Sequence, residues 1–466
     1  MNCKKILAGI LSAAMVFTTM AIPAFADENE TAVAEINGIG YNTLTDAIAA
    51  AGNGNTVTLL SDVTESITVE KGKNITLDLN GKTLTNVEDK HTITNNGTLT
   101  INDSSNDKKG TVDNVSHQKG ALVNDEGATA TLNGGTFMRS QEKGSDPYNN
   151  GTNSYYTVQN GGTMTINNGV VVENSGGYSS NIVNDCNSAE KTAQLTVNGG
   201  TFSGGINTLK NGGYGVLKIR GGIFTNTVQS CIMNWNKANI SGGEFNGSKN
   251  VDSVYNGSYT YTDPDKKVDF TMIGDLTITG GTFTRAIVAV NYMGQATADP
   301  VTSISGGTFN TDVTKYCAEG YAPEYDETNK TYTVKEKGIT WIGTTDSGIY
   351  TLNGTKYGVM RFMFSTDVDL SKSSVSKIGI KYINANAISD PINNKGTEVD
   401  ANDASGKNAV QGDINEIIPE SATGTYYALA YIEVDDKPYW STPISCTLNT
   451  SKELVGYTPQ TEGGNK

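Results

Sequence analysis

The chain has 466 residues, with 34 Lys and Arg against 49 Asp and Glu, a formal net charge of −15 at pH 7. That acidity argues against nucleic acid and anionic membrane as partners, since both carry the same sign. It argues more mildly against polyuronates, and Arg139, Arg220, Arg285 and Arg361 are the only arginines.

Lys4 and Lys5 precede an apolar run from Ile6 to Ile22, and Ala24-Phe25-Ala26 supplies a small-x-small pattern before Asp27. This is the form of a secretory signal peptide over 1–26, which places the mature protein outside the cytoplasm. Cleavage removes two lysines and no carboxylate, so 32 basic against 49 acidic residues leave a net charge of −17. No second apolar stretch is long enough to span a membrane, and there is no Leu-Pro-x-Thr-Gly motif for covalent anchoring.

Val33 to Asn37 and Thr56 to Leu60 read as strands on either side of a helix. Thr43 or Asn42 caps that helix, Leu44, Ala47, Ile48 and Ala51 form one apolar stripe, and Gly52 ends it. Coils then begin at Ile67-Thr68-Val69, Ile75 to Gly81 and Leu99 to Asn102, alternating apolar residues inward with Thr, Lys or Asp outward. A solenoid needs its terminal coil covered, and the helix is a natural lid.

A block reading apolar-polar-apolar-Asn-Gly-Gly-Thr-Phe recurs along the first two thirds. It occurs at Leu132–Phe137, Leu195–Phe202, Leu217–Phe224, Ile240–Phe245, Ile278–Phe283 and Ile304–Phe309, with a degenerate copy at Met164–Val170. Two short strands joined by a glycine corner and repeated every ~21 to 38 residues are the mark of a solenoid. A second element, an apolar residue followed closely by Asn, reads Ile93-Thr94-Asn95, Val123-Asn124, Val158-Gln159-Asn160, Ile182-Val183-Asn184, Ile232-Met233-Asn234 and Val290-Asn291. Asn bonds neighbouring backbone and tolerates left-handed turns, so these residues read as a stacked structural ladder.

Residues 33–336 resemble the right-handed parallel β-helix proteins of pectate-lyase-like architecture, especially secreted repeat proteins of Gram-positive anaerobes. The resemblance rests on Tyr41 to Ile48, on Ile75 to Leu84, on the Gly-Gly-Thr-Phe blocks, and on the closing stretch from Ile304 to Val334. Beyond Gly338 the repeat stops. Tyr357 to Phe364, Val375 to Ile383 and Tyr426 to Val434 read as strands, and Asp435-Asp436-Lys437-Pro438 turns into a hairpin partner at Tyr439 to Leu448. This part resembles Ig-like or fibronectin-like modules. The expected fold is therefore all-β: a right-handed parallel β-helix solenoid with an N-terminal capping helix over 27–336, then a small antiparallel β-sandwich over 337–455. Residues 456–466 read as a flexible tail.

Chemistry is sparse. His91 and His117 lie in different coils and read as solvated loop residues; no Gly-x-Ser-x-Gly elbow and no HExxH motif occurs. The polygalacturonase signature of the resembled group is absent. Asp103, Asp125 and Asp185 follow corner or ladder asparagines and are the candidates for a carboxylate pair, but Gly161 stands in the coil between the last two. Asp400 to Gly406 and Asp263-Pro264-Asp265 read as solvated turns, so no metal and no cofactor is expected. Cys186, Cys231, Cys317 and Cys446 read as buried thiols, with Cys186 and Cys231 the one pair to consider for a bond.

The binding signal lies in the insertions. Tyr148, Tyr155 and Tyr156 sit in one and Tyr178 in the next; Tyr255, Tyr259 and Tyr261 sit in a third, and Tyr292 follows an Asn. Solenoid insertions tend to emerge on one side and carry the binding surface. Tyr with Asn, Ser and Gly combines a rigid amphipathic ring with adaptable hydrogen bonds. The expected function is a secreted, non-enzymatic binding or adhesion protein that recognises an extracellular glycan, glycoprotein or host protein. The alternative is a polysaccharide lyase or glycoside hydrolase acting on one face of the β-helix.

Overall fold

A computed structural model of the chain describes residues 32–140, 155–174, 179–186, 191–262 and 269–352. It also describes 355–366, 368, 375–384, 397–400, 402–403, 409–416, 424–434, 437–441, 444–448 and 454–459. Between Thr56 and Phe309 the described coil strands, one inserted hairpin apart, stack in parallel and make three faces. The first face holds Thr56–Leu59, Asn74–Asp78, Thr98–Asn102, Thr129–Leu132 and their successors. The second follows the glycine corner, with Thr83–Thr85, Thr111–Asp113, Gly135–Met138, Val170–Asn174 and onward. The third runs from Ile67–Val69 through Ile93–Asn95 and Leu122–Asn124 to Ile287–Asn291.

Register aligns apolar columns inside each face. Leu77, Ile101, Leu132, Ile166, Val197, Ile219, Ile240, Ile278 and Ile304 stack along the first. All nine are fully buried. Ile93, Leu122, Val158, Ile182, Leu209, Ile232 and Val254 do the same on the third. On the second face the phenylalanines of the repeat become a ring stack. Phe202, Phe224, Phe245, Phe283 and Phe309 follow one another at centroid distances of 4.6, 5.1, 4.7 and 4.8 Å. Val172 takes this position in the degenerate copy, between Phe137 and Phe202, which interrupts the aromatic column without emptying it.

The second glycine of each pair has a physical reason. Gly243 sits at φ 103°, and a Cβ there would meet the Gly222 carbonyl oxygen of the preceding coil at 3.1 Å. Side chains rarely adopt that φ, and the stacked backbone crowds the place a Cβ would take.

Asparagines form the polar counterpart of these columns. Asn95, Asn124, Asn160, Asn184, Asn211, Asn234 and Asn256 are fully buried. Each Nδ2 donates to the Oδ1 of the next at 2.7–2.8 Å. The last, Asn256, donates to the carbonyl oxygen of Val301 at 2.8 Å and to Thr302 Oγ1 at 3.0 Å. Asn211 and Asn256 thus join the expected ladder. Asn291 does not: Ala289 is the residue opposite Asn256, two positions earlier, and Asn291 Nδ2 turns to the Ala296 carbonyl at 3.0 Å. A second row at the glycine corner runs the other way. Asn133 donates to Asn102, Asn167 to Asn133 and Asn198 to Asn167 at 2.8–2.9 Å, and Arg220 Nη1 reaches Asn198 Oδ1 at 3.4 Å.

The lid is the helix Leu44–Ala50, with Thr43 Oγ1 accepting from the Asp46 N–H and Leu44, Ala47 and Ile48 buried. Glu65 accepts from the N–H groups of Leu44 and Thr45 at 2.8 and 2.9 Å, and Lys73 donates to the carbonyls of Ile48, Ala49 and Ala51. Opposite charges thus satisfy the two ends of one helix dipole. Ahead of it, Ala34–Ile36 and Ile39–Tyr41 pair as a hairpin around Asn37-Gly38, both at positive φ, a turn the single-strand reading of 33–37 missed.

The stack closes with an antiparallel hairpin, Tyr321–Asp326 against Thr331–Glu336. Beyond it the described strands pair antiparallel in two sheets, with Ile339–Leu352, Thr355–Thr366 and Ala409–Glu416 in one. Val375–Asn384, Gly424–Val434, Ile444–Leu448 and Leu454–Pro459 belong to the other. Leu454–Pro459 therefore continues the sheet past residue 455, where a flexible tail was expected. Cys186 and Cys231 are both buried and are not bonded to each other, and Cys317 is part-buried, so the considered bond is absent. Burial pushes the Cys231 thiol up to about 12.

Candidate functional site

Alternation along the third face sends Thr68, Thr94, Val123, Gln159, Val183, Lys210, Met233 and Tyr255 outward in one row. The expectation was that insertions emerge on one side. They rise instead along both long edges of this face. Tyr155 and Tyr156 precede the strand Val158–Asn160; the hairpin of Ser258–Thr262 and Asp269–Ile273 follows Asn256, and Tyr292 follows Asn291. The row of outward side chains is therefore a floor, with Tyr155 and Tyr156 ahead of one long edge and the hairpin and Tyr292 beyond the other.

At its C-terminal end the floor opens into a cavity of 290 Å³ lined by Lys210, Gln229, Met233, Trp235, Tyr255, Tyr259 and Tyr292. Trp235 packs edge-on against Tyr259 at 4.5 Å and 74°, and against Tyr255 at 5.8 Å and 60°. The indole needs Gly257 beneath it, because a Cβ there would overlap Trp235 Cζ3. Met272, opposite Tyr259 on the hairpin, lies over Gly213 in the same way. The rings are part-buried and Tyr292 is 50% exposed. Burial, with Tyr292 and Asp252 nearby, holds the Tyr255 phenol above its usual range, so at neutral pH it is a hydrogen-bonding hydroxyl.

Midway, Tyr155 and Tyr156 stand together at 5.2 Å, and Tyr155 Oη donates to Gln159 Oε1 at 2.6 Å. Val123 and Val183 are buried in the floor here. Asp125 and Asp185 flank the pair, in the positions directly after ladder asparagines. Burial first, and Glu126 second, push the Asp125 carboxyl up; burial pushes Asp185 up against the N–H bonds it accepts from Tyr214 and Cys186. Asp103 is elsewhere, at the glycine corner, where it accepts from the N–H groups of Gly81 and Gly110 and tightens the turn.

At the N-terminal end, Ser66, Thr68, Asp89, Lys90, His91, Thr94 and Lys119 surround a cavity of 260 Å³. His91 is not a solvated loop residue: it is part-buried, contacts the Tyr155 ring at 5.5 Å, and its Nδ1 accepts from the Gly120 N–H at 2.9 Å.

The face thus gathers Tyr155, Tyr156, Tyr255, Tyr259 and Tyr292. Tyr148 and Tyr178 lie outside the described residues; Tyr261 pairs with Phe270 on the hairpin, its side chain outside the described set. Trp235, Met233, Lys210 and Gln229 were missed. The available signal was position: Trp235 directly follows ladder residue Asn234, where other coils carry Asp125, Gly161, Asp185, Gly212 and Gly257. A furrow of 700 Å³ along the Gly-Gly corners is lined largely by glycine backbone and is explained by coil stacking. Among the described residues no group of three or more His, Cys, Asp or Glu is placed to hold a metal ion, and no helix is long and apolar enough to cross a membrane. No family model, curated protein or solved structure matches the chain.

Proposed function

We propose that this is a secreted binding protein that recognises an extracellular glycan along the third face of its β-helix. The observation that carries the reading is the cavity in which Trp235, Tyr255, Tyr259 and Tyr292 stand beside Lys210 and Gln229. Part-exposed rings offer apolar faces to the C–H side of a sugar, while the amide, ammonium and phenols reach its hydroxyls. Secretion follows from the leader read at 1–26. The test is retention of residues 27–466 on an array of plant polysaccharides, mucins and immunoglobulins, beside the same protein carrying Trp235→Ala. Retention on a glycan, lost with Trp235, supports the reading; retention only on protein spots replaces the glycan with a protein partner.

One observation favours the catalytic alternative. Asp125 and Asp185 share a column, both are pushed up by burial, and Tyr155 and Tyr156 adjoin them. Carboxyls raised by burial hold their protons longer, as a general acid must. New reducing ends released from a retained glycan, and abolished by Asp185→Asn, would establish that reading.

A further inference from the structure

We infer that the N-terminal cavity of the third face is an anion subsite that holds a carboxylate or sulfate ester of the bound glycan; this rests on the glycan-binding reading above. Lys90 and Lys119 line the cavity with His91, Ser66, Thr68 and Thr94, and Lys119 lies within electrostatic reach of the imidazole. Asp89 is the sole carboxylate in its lining. Neither lysine takes part in an ion pair among the described residues. Arg139 is buried nearby, bonded to the carbonyls of Ser116 and Tyr155 at 2.9 and 3.0 Å, and adds fixed positive charge.

His91 fits the same chemistry. Burial, Lys119 and Arg139 hold the imidazole below its usual range, and its Nδ1 is engaged by Gly120. At neutral pH it is therefore the uncharged tautomer with the proton on Nε2, a donor. A concentration of donors and unpaired cations is unexpected on a chain with a net charge of −15, and positive clefts of this kind select anions locally whatever the total charge. From Thr94 to Met233 the floor advances five coils, roughly 24 Å at 4.8 Å per coil. An acidic oligosaccharide, not a single sugar, spans both ends.

The test uses the mature chain and three variants: Lys90→Ala with Lys119→Ala, His91→Gln, and Trp235→Ala. Probes are a sulfated glycosaminoglycan with its desulfated form, and polygalacturonate with its carboxyl-reduced form. The wild type should prefer the charged member of a pair by about fivefold at low salt, the lysine variant should lose that preference, and Trp235→Ala should weaken both members. Preference for only the sulfated or only the carboxylated member identifies the group held. Equal retention of charged and neutral forms by the wild type, or preference surviving in the lysine variant, overturns the subsite and leaves glycan binding standing. No retention of any glycan overturns the glycan reading and the subsite with it.

Discussion

The Trp235 indole lies over Gly257 of the next coil, in space that any Cβ would fill. The position after the ladder asparagine carries a large ring in one coil and no side chain at all in the next. Gly257→Ala should tip the indole away from Tyr259 and weaken glycan retention about as much as Trp235→Ala, on the order of tenfold. A change in tryptophan emission without loss of β-sheet circular dichroism would separate this local effect from unfolding.

The asparagine ladder predicts a position-dependent loss of stability. Asn160 accepts from Asn124 at 2.8 Å and donates to Asn184 and to the Gln194 carbonyl at 2.7 and 2.9 Å. Asn160→Ala strands those buried partners and should cost about 2–4 kcal/mol. Asn160→Asp should be no better, since a carboxylate faces two acceptors. Asn291→Ala, off the ladder, should cost under about 1 kcal/mol. Urea midpoints of the three variants check the order.

The ring stack makes a parallel prediction for the second face. Phe245 lies between Phe224 and Phe283 at 5.1 and 4.7 Å, and Phe245→Ala should cost about 3–5 kcal/mol. Gly243→Ala should also destabilise, through its φ of 103° and the Gly222 carbonyl.

Lys73→Met should loosen the lid without disturbing distant coils. It removes the donor to the last helix carbonyls, worth about 1–2 kcal/mol. Hydrogen exchange should quicken over 44–51 and stay unchanged over 230–256.

Asp185 supplies a pH test. Burial raises its carboxyl above the ordinary 3.8, so the folded chain holds that proton more tightly than the unfolded one. Its contribution is complete below about pH 3.8 and is lost as pH rises through the folded value. Asp185→Asn should therefore raise the melting temperature at pH 7 and leave it unchanged at low pH. The amide oxygen still accepts from Tyr214 and Cys186. An unchanged difference between wild type and variant across pH would contradict this.

Much of the fold was legible because every coil repeats its physics. The apolar alternation, the glycine corners and the Thr43 cap are local rules, and each sits where the sequence placed it. What failed depended on register. Asn291 follows a valine, as Asn124 and Asn184 do, but only the pairing of Asn256 with Ala289 shows it to be two residues off. The edges of the third face were illegible for the same reason: whether an insertion rises before or after a strand is set by which corner it interrupts. Trp235 escaped notice because its partners, Tyr259 and Gly257, belong to the next coil, and only stacking brings them together.

The two asparagine rows point their amide dipoles in opposite directions, one ending on Val301 and Thr302, the other on Arg220. A duplicated coil would bring one amide to each row, with opposed moments and no added charge. The architecture is thus open to growth by duplication: it asks a new coil for two asparagines, a glycine and a few apolar residues. Everything between those fixed points is free to vary, and along the third face that freedom is where new recognition can be written without rebuilding the rod.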